Sequence, residues 1–201
     1  MDSTGLSVAL SVAKSERWYD HKYGDIRTHQ QWMKVHAICG TKTRIVTAVE
    51  VSHGTANDSP FLPPLVARTA QGFRVDEVSA DLAYSNRKNT MAVWKADAMP
   101  YIPYKSNTSA LGSKPGTHLW RNLFHYYNLE RDAFLERYHQ GSNVESAFSM
   151  MKRKFGDALR SKTQTAQFNE ALLKVLCHNF CCVIQSMHES GISPDFSAGA
   201  A

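Results

Sequence analysis

The stretch Tyr138-His139-Gln140-Gly141-Ser142-Asn143-Val144-Glu145-Ser146-Ala147-Phe148-Ser149-Met150-Met151-Lys152-Arg153-Lys154-Phe155 decides how the rest of the chain is read. Val144, Phe148, Met151 and Phe155 recur at spacings of three and four, which puts them on one face and predicts an amphipathic helix. Ser142 and Glu145 have the spacing of a capping box. Lys152, Arg153 and Lys154 add three positive charges near the far end. Glu145 and Lys152 lie close to two helical turns apart, so they share one side of the helix. That arrangement suits a site that holds a metal ion with the glutamate and a phosphate with the lysine. A plainer reading is also open, in which Glu145 only caps the helix and the basic triplet is a solvated face.

Around this helix the pattern is mixed. Residues 119–138 read as one long helix, preceded by a Ser/Gly/Lys/Pro loop at 106–116. A last helix is expected over 165–190, with Leu172, Leu176, Phe180, Ile184 and Met187 as its apolar stripe, and Gly191 and Pro194 mark its end. Near the N-terminus Leu6, Val8, Leu10 and Val12 alternate with small and polar residues, as in a strand that Asp2 opens. Residues 14–31 read as a surface loop. Residues 33–39 and 43–51, joined by Gly40-Thr41-Lys42, read as a hairpin. Asp58 or Ser59 is expected to cap a helix over 60–70, which Gly72 ends. Residues 75–81 read as a short strand ending in Asp81 and residues 86–97 as a helix. Residues 99–105, with Pro100 and Pro103, read as an edge strand. This order argues for an α/β fold with a mixed sheet flanked by helices.

Composition sets outer limits. The 201 residues are 43% hydrophobic and 20% charged, an ordinary globular balance. One domain is expected over 1–192, with a disordered tail at 193–201. The net charge is +5 and the pI about 9.0, compatible with nucleic acid without being diagnostic of it. The sequence shows no apolar run long enough to span a membrane and no secretory signal pattern. Four cysteines, three of them clustered, fit reduced thiols in a cytoplasmic protein better than a disulfide framework. Cys177, His178, Cys181 and Cys182 share one helix and admit a zinc site, although zinc ligands usually come in two separated pairs. Cysteines on a buried apolar face are the commoner case. His36, inside a strand, reads as a core histidine.

Three carboxylates fall where an α/β fold can gather them. Asp2 starts a strand, Asp81 ends one and Glu145 starts a helix, and such ends commonly converge at one edge of a sheet. Three converging carboxylates can hold two divalent cations, which clamp the attacking and leaving oxygens of an in-line phosphoryl transfer. Magnesium is the expected ion. Asp58 is a possible fourth acidic group that helix capping also explains.

At this point the sequence resembles the DDE transposases of bacterial insertion sequences. Asp2-Ser3-Thr4-Gly5 looks like their first aspartate motif. Trp18-Tyr19-Asp20, Lys22-Tyr23-Gly24 and Trp32-Met33-Lys34-Val35-His36 are similar to the segment that follows it. Ala80-Asp81 with Tyr84 looks like the second aspartate motif. Tyr138, Glu145 and Lys152 match a Y-x2-R-x3-E-x6-K signature, and Glu170, Lys174, His178 and Asn179 resemble the final family helix. The resemblance implies a ribonuclease H-like mixed five-stranded sheet flanked by helices. It implies Asp2, Asp81 and Glu145 as catalytic residues and metal ligands of two Mg²⁺ ions, which Mn²⁺ can replace. It implies a DNA phosphate contact by Lys152, and for Tyr138 either support of the signature helix or contact with the DNA. With Glu145 adjacent, the run Lys152, Arg153 and Lys154 reads as DNA-binding. The reaction would be metal-dependent DNA cleavage and strand transfer on transposon-end and target DNA, by a homodimer on DNA. The alternatives are an inactive DNA-binding remnant and a ribonuclease H-like nuclease. Two departures stand out. Gly141 occupies the signature arginine position, with Arg137 a displaced substitute, and the family's region before the first aspartate is missing. The expectation is therefore a truncated or decayed copy, or a mis-assigned start.

Overall fold

A computed structural model describes residues 1–8, 32–109, 116–141 and 143–191 of the chain. The strand period beyond Val8, the loop at 14–31 with its aromatic motif, the middle of the loop at 106–116, Ser142 and the tail at 193–201 lie outside the described residues.

Four strands form the main sheet: β1 (Asp2–Val8), β2 (Trp32–Cys39), β3 (Val46–His53) and the two-residue β6 (Ala158–Leu159), in the order β3-β2-β1-β6. β1 and β2 run antiparallel with Asp2 opposite Ala37 and Ser3 opposite His36. β2 and β3 form the expected hairpin, and β6 joins β1 in parallel through Ser7–Ala158 and Val8–Leu159. β4 (Glu77–Ser79) and β5 (Met99–Tyr101) make a separate parallel pair. The proline-bearing strand thus sits at an edge, where the missing N–H of Pro100 is tolerated.

The helices cover both faces of the sheet. α1 (Leu62–Gly72) and α2 (Arg87–Lys95) lie on one side, where Ile38, Ala48, Leu62, Leu65, Val66, Val78, Tyr84 and Val93 form one core. α5 (Asn143–Phe155) and α6 (Gln164–Glu189) lie on the other. There Val144, Phe148, Met151, Ala171 and Val175 meet Leu6, Val35, Val51 and Leu159. The apolar face read from Val144, Phe148 and Met151 is therefore the buried one, and Phe155 packs against it partly buried. A third, aromatic cluster of Tyr101, Tyr104, Trp120, Tyr127 and Phe134 joins β5 to α3 (Thr117–Leu129) and α4 (Arg131–Gln140).

Two expectations are corrected, and a third, the sheet, is met in its coarser form as a mixed sheet flanked by helices. The single five-stranded sheet is observed as a four-stranded sheet and a two-stranded one. β4 ends where β1 begins, so among the described residues the two are linked by one bond, from the backbone nitrogen of Met1 to the Ser79 carbonyl. The long helix at 119–138 is two helices broken at Glu130, whose ψ of 48° leaves the helical region. The break turns Phe134 into the aromatic cluster, where it is fully buried. Finally, the stripe assigned to the last helix is its outward side. Leu172, Leu176, Phe180 and Ile184 are 40–65% exposed, while Ala171, Lys174, Val175, His178 and Cys182 face inward.

Candidate active site

Each of the three predicted carboxylates sits at the end of an element. Asp2 opens β1, half-buried, and its Oδ1 accepts the Ser3 N–H at 2.7 Å. Asp81 lies just beyond β4 and caps the short 3-10 turn Leu82–Tyr84, its Oδ1 accepting the Ala83 N–H at 2.9 Å. Glu145 stands exposed in the first turn of α5, while its neighbour Val144 is buried beneath. The carboxylate favours that position through the positive end of the helix dipole. The start of α5 is held to the β2–β3 turn by the Asn143 side chain, whose Nδ2 donates to the Thr41 carbonyl.

These three side chains line one cavity of about 160 Å³, together with Met1, Ser79, Ala80, Tyr138, Gly141 and Val144. Burial pushes the Asp2 carboxyl above the usual aspartate range. The Ser3 N–H pulls it back, and the charges of Asp81 and Glu145 push it up again. Tyr138, half-buried beside them, is raised by burial and then by Asp81, Asp2 and Glu145. The buried Tyr84 is raised in the same manner, by burial first and then by Asp58, Asp2 and Asp81. Negative charge is thus concentrated around the cavity, and both phenols stay protonated there.

The raised Asp2 has a measurable consequence. The native state binds this proton more tightly than the unfolded chain does. Stability is therefore lost as pH rises from the ordinary aspartate value through the native one. Asp2→Asn removes that loss while still accepting from Ser3. Its melting temperature at pH 7 is therefore expected to exceed the wild type's. The gain should vanish in acid below the ordinary aspartate range. Equal melting curves at pH 7 would show that the Asp2 charge carries no penalty from its burial or from the neighbouring acids.

Gly141 is a site residue that sequence reasoning registered only as a missing arginine. A Cβ built on it would lie 2.2 Å from the Ser79 Cβ, so the α4–α5 corner rests directly on β4. Gly141 and Ser79 line the same cavity as Asp81 and Glu145. Arg137, the displaced substitute, pairs with Glu77 at 3.4 Å and faces a neighbouring cavity of about 570 Å³. Lys152, Arg153 and Lys154 occupy the last turn of α5, where cations complement the helix end. They line no part of the carboxylate cavity, and none of them forms an ion pair among the described residues.

Other sequence candidates have structural roles. Asp58 makes no capping bond. It accepts from Lys34 Nζ at 3.0 Å and lies 3.6 Å from His36 Nδ1. Ser59 instead accepts from Asn86 and Asn89. His36 is buried, 2.8 Å from Ser52 Oγ and stacked on Phe61. The final-helix residues anchor α6. Lys174 Nζ donates to the carbonyls of Phe155, Gly156 and Ala158 at 2.8–2.9 Å. Glu170 accepts from the backbone of Arg160 and Ser161, and Asn179 bonds both backbone groups of Val46. Of the clustered cysteines, Cys177 is exposed and Cys182 is buried, with its sulfur 3.5 Å from His178 Nε2.

The chemistry of Asp2, Asp81 and Glu145 suits a hard divalent cation, because all the donors are carboxylate oxygens. As the side chains stand, no group of three His, Cys, Asp or Glu among the described residues is gathered tightly enough to hold one. No helix among them is long and apolar enough to cross a membrane.

Comparison with known proteins bears on the same residues. The family model described as "Transposase DDE domain" matches residues 1–180. A probable transposase for insertion sequence element ISA1214 from Archaeoglobus fulgidus is 25% identical over 182 residues, which cover 90% of this chain and 52% of that protein. The chain therefore spans about half the length of this curated relative. No solved structure matches.

Proposed function

The chain belongs to the transposase DDE domain family, and from that premise we propose that residues 1–192 are the catalytic domain of an insertion-sequence transposase. It would cleave DNA at transposon ends and join the freed 3′-hydroxyl to target DNA, acting as a homodimer in the cytoplasm, on the nucleoid. The observation that carries this reading is the single cavity lined by Asp2, Asp81 and Glu145. In the same reading the fold is ribonuclease H-like, with β4 and β5 continuing the main sheet beyond β1. The Met1–Ser79 bond is then the joint between the two parts.

Asp2, Asp81 and Glu145 would hold Mg²⁺, or Mn²⁺ in its place. A pair of such ions would stabilise both the attacking and the leaving oxygen of the displacement. Asp81 and Glu145 are exposed, so each can swing toward Asp2, which the strand holds in place. Tyr138 keeps its proton next to three carboxylates and so can donate to a phosphate oxygen. Lys152, Arg153 and Lys154 continue along the same helix and supply the cations for the DNA backbone, with Lys152 two turns beyond Glu145.

A second reading is a DNA-binding remnant with a broken metal site, favoured by the ungathered carboxylates. Calorimetric titration with Mn²⁺ separates the two. The catalytic reading expects binding by the intact chain that disappears in Glu145→Ala, and an intact chain that binds no Mn²⁺ is the remnant. A plasmid strand-transfer assay then distinguishes a transposase from a ribonuclease H-like nuclease, which would cut without joining.

A further inference from the structure

Helix α6 is apolar on two opposite sides. The inward side, with Ala171, Val175 and Cys182, packs on the sheet and α5. The outward side carries Leu173, Leu176, Phe180, Val183 and Met187, spaced alternately three and four residues apart. The first four of these are 56%, 47%, 57% and 40% exposed. A helix that is apolar all round belongs in an interior, and the alternating spacing is that of a seam made to receive another helix.

The chemistry of this face narrows the occupant. Between Ala171 and Met187 the sequence holds no acidic or basic side chain other than Lys174 and the buried His178. Lys174 is turned inward onto three carbonyls. The outward side of the helix therefore offers nothing to a phosphate backbone and presents no like charge to a copy of itself, and Arg68 beside it is paired with Glu50. A strand is not the occupant either. β3 borders the face, and where it lines the groove its edge is occupied, both backbone groups of Val46 by Asn179 and the Val49 carbonyl by Arg68 Nη1. The exposed seam and its flanks, Leu172 and Ile184, present on the order of 500 Å², a size that already marks an interaction surface. The groove beside it, about 590 Å³ and lined by Val46–Val49 and Arg68, extends the face toward the roughly 800 Å² per partner of a standard interface.

We propose that this face docks a second copy of the chain, with the two α6 helices laid along each other. The inference rests on the homodimer of the proposed function and deepens it, by placing the contact on α6 and by making it independent of DNA. Sedimentation equilibrium of the 201-residue chain, without DNA or metal, tests it. The expected result is a concentration-dependent dimer. Leu176→Glu and Phe180→Glu should each weaken it about 100-fold, as for an anchor at the centre of an interface. Both side chains are already exposed in the single chain, so both variants should keep the wild-type circular dichroism. A wild-type monomer at every soluble concentration overturns the proposal and leaves the face to some other protein segment. A dimer that survives both substitutions overturns it as well. Lost Mn²⁺ binding with the dimer intact would count against the catalytic reading alone.

Discussion

Glu145→Gln is expected to lower Mg²⁺-dependent cleavage and joining of DNA by at least about a thousandfold, roughly 4 kcal/mol of transition-state stabilisation. The substitution keeps the shape of the side chain and removes its charge. The charge acts on the fold only through the helix dipole, which it complements, and through its repulsion of Asp2. Glu145 stands exposed on α5, whose packing is done by Val144, Ala147, Phe148 and Met151. The melting temperature should therefore stay within about 2–4 °C of the wild-type value, which separates loss of chemistry from loss of fold. Asp81→Asn is expected to behave in the same way, since an asparagine side chain can also accept the Ala83 N–H and keep the turn capped. A plasmid assay with end-bearing DNA provides the rates. Near-wild-type activity in either variant would remove that carboxylate from the mechanism.

Gly141→Arg is expected to damage the protein, although it restores the signature residue. Judged by the motif alone, arginine should return a fork-shaped phosphate contact. The structure predicts the reverse, because the obstacle is the first side-chain atom. Any Cβ at 141 falls 2.2 Å from the Ser79 Cβ, which belongs to β4 and cannot rotate away. The α4–α5 corner must lift, and Glu145 moves with it, away from Asp81. The expected cost is about 1–3 kcal/mol, as for an overfilled core position. That corresponds to a fall of about 2–10 °C in melting temperature for a chain of this size. Gly141→Ala should show most of this loss, since it carries the same offending atom. An alanine variant that melts with the wild type would refute the account.

The sequence and the structure agree where periodicity has one solution. The β2–β3 hairpin and α5 were legible because their apolar residues point to one side and their polar residues to the other. In α6 the same method chose the wrong side. Both sides are apolar, and the truly buried one contains Lys174 and His178, whose partners lie on distant elements. The break at Glu130 left no trace, since neither glycine nor proline marks it and the cause is the burial of Phe134 by tertiary contacts. β6, only two residues long, is too short to show a period. Asp2, Asp81 and Glu145 could be nominated from element ends and from the family resemblance. The contact of Gly141 with Ser79 could not, because it joins residues far apart in the chain and depends on the absence of an atom.

The placement of Asp2 gives the cavity a division of labour. β1 is flanked by β2 along its length, joined at its start to Ser79 and anchored in the core by Leu6 and Val8. The β1 amides bonded to β2 should exchange with solvent only when the whole domain opens, whereas the turn after β4 and the first turn of α5 can open locally. One acidic group is thus a fixed anvil and the other two are adjustable jaws. In the proposed reaction, accommodation of an incoming strand would fall to the surface turns, without cost to the sheet that carries the fold.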